Sequence, residues 1–224
     1  MLKGRKFVIG DIHSHHKQLI EVFERAEFDF EKDTLISLGD LVDRGPNPIE
    51  VIETLMQVKN FIHILGNHDE WCLQYLLHNE QPYVWLAQGG DTTLSAYLKN
   101  REKINSHIAF FLKAKLFHID RENRLFVHAG FNPNMPFVEQ IERKDILIWD
   151  RSLVHTAMDY HLTGKRFAGF SEIFVGHTPT QIIRETSPQQ FSNLWMLDTG
   201  VYLSGILTLM EIETKEYWQS TVSS

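Results

Sequence analysis

Cysteine is nearly missing from this chain: Cys72 is the only one in 224 residues. It can form neither an intrachain disulfide nor a cysteine-based zinc cluster. Following Trp71 in an expected helix, it reads as core packing rather than as a nucleophile. Basic runs are absent too, and 22 Lys and Arg against 29 Asp and Glu give a net charge of −7. That balance argues against a nucleic-acid partner, which would need a basic patch to displace counterions from phosphates. No apolar stretch has the length of a membrane span or signal peptide. The expectation is a cytoplasmic protein with no membrane partner. Repeats and low-complexity segments are also missing, and Ser220 to Ser224 reads as a frayed tail.

What is present is 43% hydrophobic residues, enough for one domain with a large core. The first third alternates apolar β-type runs with helical periodicity: Lys6 to Ile9, a helix from His16 to Ala26, Thr34 to Leu38, a second helix opening at Asn47-Pro48, then Phe61 to Leu65. Such alternation predicts parallel βαβ units and an α/β fold. Residues 70–115 carry helical spacing and no strand signal, predicting an inserted helical cap. Within it Gln88-Gly89-Gly90-Asp91-Thr92-Thr93 reads as turn punctuation before a helix through Tyr97. Beyond Leu116 come short β runs, the last at Leu194 to Leu197, Gly205 to Ile212 and Glu216 to Trp218. These predict a second, mixed or antiparallel sheet packed on the first.

Five apolar runs end at once in side chains that can hold a metal. They lead into Gly10-Asp11-Ile12-His13, Gly39-Asp40-Leu41-Val42-Asp43-Arg44-Gly45, Gly66-Asn67-His68-Asp69, Val127-His128-Ala129-Gly130 and Val175-Gly176-His177-Thr178. Charges at the end of a buried strand need partners before burial is tolerable, and a cation is the natural partner for the acids. Open parallel sheets place ligands at the carboxyl ends of their strands, so Asp11, Asp40 and Asn67 should converge.

Two divalent ions about 4 Å apart need a shared carboxylate with oxygen and imidazole ligands, a mixture that suits manganese, iron or zinc. Asp40 is the natural bridge, Asp11 and His13 complete one ion's set, and Asn67, His128 and His177 the other's. Such a pair holds a water as hydroxide near neutral pH and favours in-line displacement at phosphorus. His68 then reads as general acid to the leaving alkoxide, oriented by Asp43. Arg44 would clamp the phosphate, with Arg151 as a second arginine on the equatorial oxygens.

These blocks resemble the signatures of the metal-dependent phosphoprotein phosphatases, and the match is most similar to the compact bacterial and phage lambda-type members from Lys6 to about Gly200. The resemblance implies a metallophosphoesterase fold of two packed sheets flanked by helices, a dinuclear site at the sheet edge, and the roles above. The implied substrate is a phosphoprotein, with phosphoserine, phosphothreonine or phosphotyrosine open. Two departures stand out. Ser14 stands where glycine is usual, a position at which positive φ would strain a serine, and is followed by His15 and His16, which read as solvent-facing helix-start residues. The third block carries Asp69 where glutamate is usual, a form also similar to diadenosine tetraphosphate hydrolases. A dinucleoside polyphosphate is therefore the alternative substrate, and a non-catalytic scaffold the rival from another class. The histidines at 63, 78, 107, 118, 155 and 161 attach to no motif. Asp198-Thr199-Gly200 reads as a strand-end turn near the metal site.

Overall fold

The computed structural model describes residues 4–221. In chain order the elements are β1 (Lys6–Ile9), α1 (His16–Arg25), β2 (Thr34–Ser37), α2 (Pro48–Leu55), β3 (Asn60–His63), α3 (Asn67–His78) and α4 (Tyr83–Trp85). A wide helical turn, Leu86–Gly90, leads into α5 (Asp91–Lys99), and α6 (Ile104–Phe111) completes the helical segment expected over 70–115. Then follow β4 (Phe117–Ile119), β5 (Leu125–Val127), α7 (Lys144–Leu147), α8 (Ser152–Thr163), β6 (Ile173–Val175), β7 (Gln189–Phe191), β8 (Leu194–Met196), α9 (Val201–Ser204), β9 (Thr208–Glu211) and β10 (Tyr217–Gln219).

Two mixed five-stranded sheets result, ordered β10-β9-β1-β2-β3 and β4-β5-β6-β8-β7. In the first, β1, β2 and β3 run parallel, as the βαβ reading requires. The expectation that the C-terminal β runs belong to the second sheet is corrected. The β9 and β10 hairpin runs antiparallel beside β1. Without it, the fully buried Phe7, Val8 and Ile9 would form an open edge with unpaired backbone groups. In the second sheet β5, β6 and β8 are parallel, with β4 and β7 antiparallel at the edges.

Strand alternation sorts the core into three layers. Phe7, Ile9 and Leu35 face α1 and α2, while Val8 and Ile36 face the second sheet. There they meet Phe126 and Phe174, whose rings stack at 4.9 Å. Leu125, Val127, Ile173 and Val175 point the other way, onto Leu153, Val154 and Ala157 of α8. That helix was not expected, because only three of its twelve residues are buried and the apolar stripe is short. At the amino ends of β1 and β5 the sheets are tied by Lys6 to Glu122 at 3.0 Å and Arg124 to Glu213 at 2.8 Å. The carboxyl ends are left free to carry polar loops.

The tail expectation is also corrected in part. Ser220 is buried, its Oγ accepting from Leu207 N at 2.9 Å, and Thr221 bonds Glu21; residues 222–224 lie outside the described residues. Cys72 is buried in the first core layer, where burial pushes its thiol well above the ordinary range.

Candidate functional site

Each of the five loops leaves the carboxyl end of a parallel strand and turns at once. His13, Ser14, Asp40, Asp43, Arg44 and His177 all take positive φ, from 44° to 71°. Non-glycine residues hold that conformation only where the surroundings over-determine it, which is typical of functional loops. Backbone bonds supply the constraint: Ile12 N and His13 N both donate to Asp40 O at 3.0 and 2.9 Å. Ser14 therefore pays the left-handed strain that the sequence reading foresaw.

All six expected metal-ligating residues come together and are buried. His13 Nε2 lies 3.7 Å from Asp40 Oδ2 and 3.9 Å from Asp11 Oδ2. On the other side, His128 Nε2 lies 3.5 Å from Asp40 Oδ1 and 3.1 Å from Asn67 Oδ1. Asp40 thus stands between two groups. Ligand atoms of Asp40, His128 and His177 lie within 4.8 Å of one another, as do those of His13, Asp40 and His68. The second sheet locks onto the first through His177 N, which donates to Asp11 Oδ1 and Oδ2 at 3.1 Å each.

The donor set fits a cation. His13 Nδ1 faces Val42 O at 3.0 Å and His128 Nδ1 faces Leu38 O at 2.7 Å, so in both rings Nδ1 carries the hydrogen and Nε2 presents its lone pair. His128 Nε2 and Asn67 Oδ1 then meet as two acceptors, an arrangement a cation relieves. His177 Nε2 is buried without a partner among the described residues.

The electrostatics agree. Burial, then the neighbouring Asp198 and Asp40 charges, raise Asp11 well above the usual carboxylate range. Asp198 is pushed up to about 6, first by burial, which places this turn in the same field as the site. Burial, His128 and Arg151 bring His177 down to about 2, and burial with His68 and Arg44 lowers His13 well below normal. Neutral imidazoles are the form that ligates a metal, and a cation among these acids favours their ionised form.

His68 starts α3 beside Asn67, yet its ring turns to another partner. Its Nδ1 lies 2.6 Å from Asp43 Oδ2. Burial raises Asp43, against the opposing pull of His68. Arg44 spans two rings, with Nη1 3.0 Å from His13 Nε2 and Nη2 3.1 Å from His68 Nε2. Tyr202 lies under its guanidinium, 3.8 Å from ring centroid to Cζ. Arg151 reaches the same recess, its Nη1 donating to His177 O at 3.1 Å. Asp150 positions it by accepting from Leu153 N at 2.8 Å at the start of α8.

Asp69 explains its own departure from the usual pattern. Its carboxylate accepts from the backbone N–H of Asp40 (2.9 Å), Leu41 (2.8 Å) and Gly66 (3.1 Å), and pairs with His63 Nε2 at 3.0 Å. It staples the loop after β2 to the start of α3. His63 is thus a buried structural partner. His15 and His16 join neither ligand group, but they are half-buried rather than solvent-facing: His16 Nε2 bonds Thr54 Oγ1 at 2.9 Å, and His15 Nδ1 contacts His13 O at 2.6 Å.

The sequence reading missed Gln88, Trp149 and Tyr202, which line the recess with the expected residues. Trp149 stands two places before Arg151, a usable signal; Tyr202 is marked by nothing local. The Gln88–Gly90 turn is more than punctuation, because Gly89 O accepts from Arg44 N at 3.0 Å.

Comparison with known proteins decides the family: residues 5–188 match the model for the calcineurin-like phosphoesterases. The chain belongs to that family. As a calcineurin-like phosphoesterase it is a metal-dependent hydrolase of phosphoesters, and its two mixed sheets flanked by helices are the metallophosphoesterase fold. It is similar to serine/threonine-protein phosphatase 1 of Salmonella typhimurium, 26% identical and covering 92% of this chain and 91% of that enzyme. It is also similar to the symmetrical bis(5'-nucleosyl)-tetraphosphatase of Coxiella burnetii, 30% identical over 78% of this chain. There the chain spans only 55% of the relative's length. The solved structure of a candidate diadenosine tetraphosphatase shares the fold, with TM-score 0.68, 20% identity, and coverage of 97% of this chain and 93% of that one. Among the described residues no helix is long and apolar enough to cross a membrane.

Proposed function

We propose that this calcineurin-like phosphoesterase is a phosphoprotein phosphatase, removing phosphate from serine and threonine side chains, and from tyrosine where the peptide allows. The observation that carries the reading is the length of the match to the Salmonella phosphatase, 91% of that enzyme against 55% of the tetraphosphatase. The recess supports it: Arg44 and Arg151 are its only cations among the described residues, and Lys103 of the helical segment is paired with Glu53 at 2.8 Å. A bridging polyphosphate would want more positive charge than two arginines supply.

In this reading the chain acts as one catalytic domain in the cytoplasm, with residues 70–115 inserted as its cap. Asp11 and His13 would hold one divalent ion, Asn67, His128 and His177 would hold a second, and Asp40 would serve both; manganese suits this oxygen and imidazole set, as do iron and zinc. Such ions supply positive charge to the phosphoryl oxygens and lower the pKa of a water. Arg44 and Arg151 orient the phosphoryl group and stabilise the charge that gathers on its oxygens. Asp43 Oδ2 accepts from His68 Nδ1–H and supports the charged imidazolium, and in that form Nε2 also carries a hydrogen, the proton to be transferred. A hydroxide bonds to phosphorus as the P–O bond to the side chain breaks, and the phosphoryl group leaves as hydrogen phosphate; the electron pair of the broken bond goes to the seryl oxygen, to which His68 Nε2 delivers its proton.

One observation favours the dinucleotide reading: Trp149 is exposed at the rim and packs edge-on against Trp71 at 4.9 Å, a surface on which a base could stack. Side-by-side kcat/KM values for phosphoserine, phosphothreonine and phosphotyrosine peptides and for diadenosine tetraphosphate decide between them. The phosphatase reading expects a peptide to lead. A tenfold advantage for the dinucleotide, about 1.4 kcal/mol in transition-state binding, overturns it.

A further inference from the structure

The indole of Trp85 is fully buried beneath the Leu86–Gly90 turn, and its Nε1–H donates to Asp43 Oδ2 at 2.7 Å. The same oxygen accepts from His68 Nδ1 at 2.6 Å, while Asp43 Oδ1 is buried with no partner among the described residues. Both donors therefore act on one oxygen. A carboxylate turns easily about its last torsion, and one hydrogen bond does not fix its plane. Two donors converging on Oδ2, one of them a rigid indole locked in a core, do fix it.

The surrounding backbone is shaped to allow this. A Cβ on Gly90 would lie 2.3 Å from Trp85 Nε1, so only glycine lets the turn pass over the indole. Gly89, at φ 98°, lies against the Arg44 backbone and offers it a carbonyl. Asp43 N donates to Thr93 Oγ1 of α5 at 3.0 Å. Arg44 Nε also donates to Gln88 O at 3.5 Å, so the helical segment holds residues 43 and 44 by four hydrogen bonds, and the one from Trp85 is made to the carboxylate itself.

We propose that Trp85 is a positioning residue for leaving-group protonation: it holds Asp43 Oδ2 on His68 Nδ1 and so keeps His68 Nε2 as the proton-donating atom. This rests on the assignment of His68 as general acid. It gives the helical segment a part in the chemistry, where an aromatic residue in a cap would otherwise be packing alone.

The test compares two substrates with different demands for a proton, a phosphoserine peptide and para-nitrophenyl phosphate, whose leaving group departs without one. Wild type, His68→Asn, Trp85→Phe and a chain with the benzothiophene isostere of tryptophan at position 85 are assayed with manganese, recording kcat, KM and bound metal. The isostere keeps the indole's shape and loses only the N–H, so it answers for a Trp85→Phe chain that fails to fold. Both position-85 variants are expected to lose about tenfold in kcat on the peptide, the scale of one hydrogen bond, and about twofold or less on para-nitrophenyl phosphate. KM and metal content should not move. Equal losses on both substrates, or an isostere with wild-type rates, overturn the proposal while His68→Asn still shows the leaving-group preference. Absence of that preference in His68→Asn itself sinks the acid assignment, and the proposal with it.

Discussion

The two sheets build the site unequally. Loops from the first bring Asp11, His13, Asp40, Asp43, Arg44, Asn67 and His68, and they are stapled to one another by Asp69 and by backbone bonds onto Asp40 O. The second sheet brings His128, Arg151 and His177, and at the site its hydrogen bonds to the first include His177 N on Asp11 and His128 Nδ1 on Leu38 O. The arginines show the contrast most plainly. Arg44 is half-buried between Tyr202 and the Gly89 carbonyl, whereas Arg151 is exposed and contacts His177 O and Thr178. Pre-positioned charge needs no reorganisation as the reaction proceeds, so the first-sheet half should carry more of the catalysis.

The strongest break in that comparison is Asp40→Asn, which removes the carboxylate standing between the two ligand groups. It should lower bound metal and abolish turnover. Normal metal content with normal rates would remove Asp40 from its central place. Next come the arginines: Arg44→Ala should cost about 4 kcal/mol in kcat/KM and Arg151→Ala about 2, within the range for losing one charge-stabilising donor. Equal losses would erase the difference between the two halves. An unchanged Arg151→Ala would move the second phosphate contact to another residue.

Asp69→Asn sharpens the comparison from the stability side. It weakens a buried carboxylate that three backbone amides and His63 hold, and should cost about 3 kcal/mol on unfolding in denaturant. Burial alone would raise this carboxylate, but the bonds from His63, Leu41 and Gly66 win and its folded-state pKa lies below the ordinary 3.8. The unfolded chain then binds the proton more readily, so the stabilisation is present above that value and is lost as pH falls through the folded pKa. The gap between wild type and Asp69→Asn should therefore narrow in acid; a constant gap from pH 3 to pH 7 would mean the charge is irrelevant. Cys72→Ser is the smallest change, destabilising by about 1 kcal/mol with kcat intact. Loss of turnover with metal still bound would revive a thiol mechanism.

The first half of the site was also the more legible in sequence. Asp11, Asp40 and Asn67 each follow a β run at a parallel strand's carboxyl end, so strand pattern and chemistry point to the same place. His128 and His177 were readable for the same reason. What escaped was set by tertiary contacts. The β9 and β10 hairpin looks like any antiparallel run, and only the unpaired edge of β1 decides which sheet it joins. Helix α8 buries too short a stripe to stand out. Tyr202, Gln88 and Trp85 act through neighbours distant in sequence, and no spacing rule marks them.

The central claim is that Asp40 joins two ions into one phosphoester-hydrolysing centre. Metal-free protein titrated with manganese, while para-nitrophenyl phosphate hydrolysis and bound metal are followed together, tests it most directly. The account predicts no turnover in chelator, two bound equivalents per chain, and full activity only as the second fills. Full turnover with one equivalent, or an unchanged rate in the chelated control, would contradict it.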